Sequence, residues 1–278
     1  MARVHKRLRY LLTRHPLFYR VRFAWRARLG SKEIFRDECS NDHCRENEIP
    51  ADFRRVVSRL RSGGGGTFEK AKKIAFDLSH GHRAGRGLSC DSVKALRVIY
   101  DGGGGICSDY SQVYLGLCIA AGIRAREWGV CDDLRTPSLG HTCNEVYSTE
   151  HDKWVFIDTF NSIYAEDRME HLPLSVTEVV DSITALRPRQ IEFQHIDAER
   201  IGQAVVPLTD LYLQPSNIFF LMSNNRVFAQ DWFLRWTDVC PLPVLHSMMI
   251  LLGIYQKYEV YSNPHNRVAV LNKIRALR

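Results

Sequence analysis

Four consecutive glycines at positions 102–105 run directly into a strongly apolar stretch, ICSDYSQVYLGLCIAAG. This junction limits the fold more than any other feature of the chain. A glycine run does not propagate a helix. The residues after it carry Val113, Leu115, Leu117, Ile119 and Ala120, so a buried central helix is expected over residues 106–121 and ends at Gly122. Strand-like segments are expected at 125–131, 141–148 and 154–159, with a polar turn at 149–153 joining the last two. Three chemistry-bearing residues sit at the ends of these elements: Cys107 where the helix begins, His141 where a strand begins, and Asp158 near the end of the next strand. Unpaired backbone N–H groups and the dipole at a helix N-terminus favour a thiolate there. A histidine can take the thiol proton and later protonate a leaving amine, while a carboxylate fixes its tautomer. Cys107, His141 and Asp158 are therefore the candidate nucleophile, base and orienting group. Gaps of 34 and 17 residues let one helix and two neighbouring strands meet at one point.

Upstream of this junction, residues 50–61, 67–79 and 91–100 read as helices, with Thr67 as the expected N-cap of the second. Downstream, residues 175–186, 242–255 and 267–278 read as helices. Residues 218–222 and 227–229 read as a hairpin or a second buried segment. Helices followed by a run of antiparallel strands give an α+β class. Four regions are expected: a basic amphipathic helical arm (1–36), a linker with a short helix (37–66), a catalytic core (67–170) and a mostly helical C-terminal extension (171–278).

Of the net charge of +7, the arm alone carries +10, from eleven Lys or Arg and the single acid Glu33, which leaves −3 for the remainder. Val4, Leu8, Leu11, Phe18, Val21, Trp25 and Leu29 recur through it at helical spacing, and Pro16 kinks or restarts the helix. Such a segment fits either docking on the domain with solvated arginines or an anionic membrane surface. No nucleic-acid recognition motif accompanies it. No apolar run reaches the roughly 18–20 residues that span a bilayer, and the first residues lack the apolar segment of a secretory signal. A cytoplasmic protein is expected, with the inner face of the membrane as the site of any peripheral attachment, and its eight cysteines as reduced thiols. Cys39, His43 and Cys44, with His80, His82 and Cys90, lack paired CxxC spacing, so no metal and no cofactor is expected.

Local motifs add a resemblance. The segment Gly105-Ile-Cys-Ser-Asp-Tyr-Ser, the turn Ala121-Gly-Ile-Arg-Ala-Arg126, the strand His141-Thr-Cys-Asn-Glu-Val-Tyr and the strand Trp154-Val-Phe-Ile-Asp-Thr together resemble the transglutaminase-like superfamily of papain-like thiol enzymes, bacterial type. The resemblance covers residues 67–164. It implies an α+β core in which a helix carrying Cys107 packs on an antiparallel sheet carrying His141 and Asp158. It also implies a thiol-dependent enzyme acting on the amide bond of a peptide or other amide substrate through an acyl-enzyme. Water as acceptor makes a peptidase or amidase, the marginally preferred outcome, and an amine makes an acyl transferase. The alternative is a catalytically inactive binding or adaptor module. Arg124, Cys143 and Thr159 depart from the residues usual in the family, so substrate-binding residues are not assigned. The Cys107 N–H supplies one oxyanion donor. Relatives take a second from an upstream residue, often tryptophan, but none lies between Trp25 and Cys107. Tyr100 and Gln112 remain as unplaced donors. Asp109 is expected to cap and charge the helix start. Glu145 is expected to be solvent-facing or paired, and Tyr110 and Tyr164 either line a pocket or pack.

Overall fold

The computed structural model describes residues 27–29, 44, 46–60, 65–81, 84–132, 139–185, 190–200, 206–222, 227–252 and 258–261. Of the expected basic arm only residues 27–29 fall within these. The helix expected at 267–278, and Cys39, His43 and His82, lie outside them.

The chain forms one eight-stranded sheet with helices on both faces. Before the sheet come α1 (Ala51–Leu60), α2 (Thr67–Ser79), α3 (Ser92–Tyr100) and α4 (Cys107–Ala120). Four strands follow: β2 (Ala125–Cys131), β3 (Gly140–Ser148), β4 (Lys153–Asp158) and β5 (Ile163–Asp167). Then come α5 (Val176–Thr184), β6 (Ile191–His195), α6 (Leu208–Tyr212), β7 (Ile218–Met222), α7 (Val227–Leu234), α8 (Leu242–Leu251) and β8 (Tyr258–Tyr261). The short β1 (Ala27–Leu29) lies at the edge. The strand order is β1-β8-β7-β2-β3-β4-β5-β6, antiparallel throughout except for the β1–β8 pair.

Alternation along the strands divides the apolar side chains between two cores. In β4, Val155 and Ile157 face the helix side with Ala125 and Val146, against α1 to α4. Phe156 faces the other side with Trp128, Val130 and Cys143, under α5 and α6. The helix α4 is buried almost all round, as its composition demands, and Gly116 is where the Phe53 ring of α1 presses closest.

Four expectations are corrected. Thr67 is the first helical residue of α2 and not its cap. Gly66 takes that place, and the Glu150 carboxylate of the β3–β4 turn accepts from Phe68 N at 3.0 Å. Residues 27–29 are strand and not helix, because the outer edge of β8 offers an unpaired ladder that a short segment can complete in parallel. Residues 227–229 open α7 and do not close a hairpin. Val227 and Phe228 reach back to the helix-side core, where Phe228 meets Phe53 edge-on at 5.1 Å. The region after residue 170 holds more helix than strand among the described residues, but it is not an extension apart from the core, since β6, β7 and β8 enlarge the central sheet on both sides. The apolar run Ile218–Met222 is buried at every position, which a strand flanked by two others satisfies. No described helix is long and apolar enough to cross a membrane.

Candidate active site

The glycine run ends where its backbone must turn. Gly104 adopts a φ of +66°, open to glycine at little cost. Alongside it, Gly85 approaches so closely that a Cβ there would meet Gly104 C at 2.9 Å. The 84–88 segment is thereby laid against the start of α4, with Gly85 N donating to Gly105 O at 2.8 Å. Asp109 secures the junction from within the first turn. Its Oδ2 accepts from Ile106 N at 2.9 Å and from Leu88 N at 3.1 Å, as its expected capping role requires. Ile106 has no oxygen to return the favour, so only half of a capping box exists.

Cys107 is the first residue of α4, where backbone donors have no partner within the helix. The other two candidates are brought together by sheet register. Asn144 of β3 lies opposite Ile157 of β4. One step further sets Cys143 opposite Asp158, and His141 follows on the same face as a diagonal neighbour of Asp158. The 17-residue gap is therefore one antiparallel hairpin read back to its open end. His141 Nε2 lies 2.9 Å from Asp158 Oδ2, with both side chains buried. Cys107 interacts with the His141 ring by hydrogen bond and charge. Because Asp158 holds Nε2, Nδ1 is the nitrogen left for the thiol.

The electrostatics favour a charged pair. Burial works against the His141 imidazolium, but the Asp158 charge and hydrogen bond, with Cys107, outweigh it and raise its pKa to about 10. Burial also pushes the Cys107 thiol up, yet the hydrogen bond and charge of His141, with a smaller contribution from Thr142, bring it below its ordinary 9.0. Burial alone would raise Asp158, but His141 and Asn161 hold it below 3.8.

Asp158 is immobilised by more than its histidine. The turn after β4 directs Phe160 N and Asn161 N at Oδ1, at 3.0 and 3.1 Å. Oδ2 accepts from Asn161 Nδ2 at 2.6 Å and from the Tyr212 hydroxyl at 2.8 Å. The Tyr212 ring stands edge-on to both Phe156 (5.0 Å) and His141 (5.9 Å). Sequence reasoning missed both residues. Asn161 was within reach of it, three positions after Asp158 in a turn, where Asx side chains bond locally. Tyr212 lies 54 residues away on α6, and only the topology places it. Tyr212→Phe keeps the ring contacts and removes a hydrogen bond to a charged acceptor. An expected loss of about 1.5–3 kcal/mol would be read by chemical denaturation.

Neither unplaced oxyanion donor is directed at the thiol. The Tyr100 hydroxyl donates to Asp77 Oδ2 at 2.6 Å, and the Gln112 amide donates to the buried Glu127. Tyr110 and Tyr164 pack: Tyr110 is edge-on to Phe160 at 5.5 Å and Tyr164 to Phe68 at 5.4 Å. Glu145 is paired, not solvent-facing. Its Oε2 accepts from Arg126 Nε at 2.6 Å and from Trp128 Nε1, and its Oε1 accepts from Val176 N at 2.7 Å at the start of α5.

Among the described residues, His80, Asp197 and Glu199 each bring one ligand atom within 4.8 Å of the others. The buried Asp197 is already used by His80 Nδ1 at 3.0 Å and by Glu199 N at 3.0 Å. The hydrogen bond that His80 donates to Asp197 raises the His80 pKa, as in an ion pair. Cys44 and Cys90 are pushed up to about 11, chiefly by burial, and so are poor thiolate ligands.

Residues 54–159 match the family model of the transglutaminase-like superfamily, a span that contains Cys107, His141 and Asp158. Residues 54–159 form a transglutaminase-like domain. Members of this superfamily are usually enzymes, cysteine peptidases or acyltransferases. Among curated proteins the sequence finds no match. Among solved structures, a crystal structure of Rad4–Rad23 bound to a 6-4 photoproduct UV lesion aligns with 98% of this chain at 8% identity and a TM-score of 0.25. The chain spans 57% of that chain's length. A score that low carries no argument.

Proposed function

We propose that the chain is a thiol-dependent enzyme that acts on an amide bond through an acyl-enzyme on Cys107. The observation that carries this reading is the buried His141–Asp158 pair, 2.9 Å across, engaged with a thiol at the first residue of a helix. The steps follow from the atoms present. The Cys107 thiolate attacks the amide carbon, and its own N–H stabilises the developing oxyanion. The imidazolium of His141 gives its proton to the departing amine as the C–N bond breaks, leaving a thioester. Neutral His141 then takes a proton from the incoming acceptor, whose oxygen or nitrogen displaces Cys107 as the thiolate. Water as acceptor makes a peptidase or amidase and an amine makes an acyl transferase. Hydrolysis is the preferred assignment, because water needs no binding site of its own to reach a thioester. The cytoplasm is the proposed location, which fits seven described cysteines that are all free thiols.

Alkylation by iodoacetamide, resolved by peptide mass spectrometry, tests the reading without knowledge of the substrate. Cys107 should be modified at lower pH than the buried Cys118, whose thiol is pushed up to about 12, and than Cys44 and Cys90. His141→Ala should remove that advantage. Equal labelling of all cysteines, or labelling of Cys107 that ignores His141, would instead mark an inactive binding module. A Cys107→Ala variant used as a trap then identifies the amide substrate.

A further inference from the structure

The end of the chain that carries α7 and α8 leaves apolar surface uncovered. Both helices are apolar nearly all round, a composition that suits complete burial. Their inner faces are used. Phe228 and Phe233 of α7 and Leu245 and Met249 of α8 are buried, and Asp231 accepts from Ser92 N at 2.8 Å, fixing α7 to the start of α3. Their outer faces are not used. Trp232 of α7, Trp236 and Val239 of the turn that links the two helices, Val244 and Met248 of α8 and Leu252 just after it are between 46% and 65% exposed. Val244, Met248 and Leu252 stand at four-residue spacing on one side of α8, while Trp232 and Trp236 lie together with ring centroids 6.5 Å apart. The other exposed large apolar side chains among the described residues, Phe76, Ile106, Met169 and Leu172, are scattered. An apolar patch gathered in one place marks an interaction surface.

Two observations say what covers it. Between residues 232 and 252 the sequence holds one arginine, one aspartate and one histidine, so the face offers little charge of its own for a polar partner. Charge is supplied elsewhere in the same sequence. Residues 1–26 contain seven arginines and one lysine and no acid, and they lead directly into β1. β1 pairs with β8, and β8 follows α8 by a short connection. In sequence, residues 1–26 precede one strand of this pair and α8 precedes the other. Paired tryptophans beside Val, Met and Leu suit the boundary between headgroups and acyl chains. Clustered arginines suit anionic headgroups.

We propose that the exposed face of α7 and α8 seats on an anionic membrane surface, with the positive charge of residues 1–26 directed at the same headgroups. The attachment is peripheral, since no described helix is long and apolar enough to cross a bilayer. It is independent of the chemistry assigned to Cys107, because α7 and α8 contribute no residue to that site.

Co-sedimentation of the full chain with phosphatidylcholine vesicles, with and without about 30% phosphatidylglycerol, tests the proposal. The expected result is binding to the anionic vesicles only, weakened by added salt. Trp232→Ser/Trp236→Ser should reduce partitioning by about tenfold or more, since both buried apolar area and charge hold such a surface. Val244→Ser/Met248→Ser, on the neighbouring helix, should act in the same direction. Circular dichroism melts matching the wild type would show that the loss is not unfolding. Vesicle binding unchanged in both variants would overturn the proposal, because the basic segment alone would then suffice. So would absence of binding to any vesicle, whether accompanied by self-association that the tryptophan variant abolishes or by binding to a duplex oligonucleotide instead.

Discussion

His141→Ala is expected to lower turnover at neutral pH by a factor of about 10² to 10⁴, because one imidazole serves as base for the thiol and as acid for the leaving amine. Cys107→Ala should abolish the acyl-enzyme altogether, as no hydroxyl occupies that position. Asp158→Asn keeps a hydrogen-bonding side chain and loses the charge that supports the imidazolium, so it should fall between wild type and His141→Ala. Asp109→Asn serves as the control. It should cost on the order of 1 kcal/mol of helix-start stability with turnover retained. If Asp109→Asn is folded and as inactive as His141→Ala, the carboxylate has been assigned to the wrong residue.

The pH dependence carries the same signature. Activity should rise as the lowered Cys107 thiol ionises and fall again near pH 10, where His141 loses its proton. Stability follows the same groups. The raised His141 contributes fully below its ordinary 6.5, and that contribution is lost as the pH rises through about 10. The depressed Asp158 contributes above 3.8 and is lost as the pH falls through its lower folded value. The gap in melting temperature between wild type and His141→Ala should therefore be widest between pH 4 and 6.5 and close toward pH 10.

The largest effect on stability is expected away from the thiol. Glu145→Ala would leave Arg126, whose side chain is 2% exposed, buried without its 2.6 Å partner. Breaking one side of a buried ion pair costs about 3–5 kcal/mol. Trp128 Nε1 and Val176 N would lose their acceptor at the same time. Calorimetry should register a fall in melting temperature of roughly 10 °C or more. Replacing both partners by apolar residues, Arg126→Met/Glu145→Leu, should recover part of that loss, since no charge is then left unpaired. A double variant no better than Glu145→Ala would show that the carboxylate acts mainly through Trp128 and α5.

What was legible in the sequence was whatever local chemistry dictates. The glycine run, the apolar α4 and the alternating β3 and β4 placed Cys107, His141 and Asp158 at element ends, and the register then did the rest. The capping role of Asp109 was legible for the same reason, three positions from the residue it serves. Glu145 could not be placed, because whether a strand carboxylate meets solvent or Arg126 depends on what lies over that face. Here the cover is α5, thirty residues downstream. Residues 218–229 looked symmetric enough for a hairpin, and only the pull of Phe228 toward Phe53 decides for strand followed by helix. Tyr212 had no local signal at all. Its value comes from α6 crossing beneath β2, a contact that no period in the sequence encodes.

The reach of Tyr212 to Asp158 also sets an order of events during synthesis. The three candidate catalytic residues emerge from the ribosome well before a hydroxyl that holds their carboxylate, since Tyr212 follows Asp158 at a separation of 54. At 5–20 residues per second that interval lasts about 3–11 s. In that time β2 has no β7 beside it and the second core has no α6 over it. Long-range pairings of this kind are slow to close. A nascent chain ending short of Tyr212 thus carries Asp158 without one of the donors that hold its carboxylate, and that set of hydrogen bonds is complete only when α6 arrives.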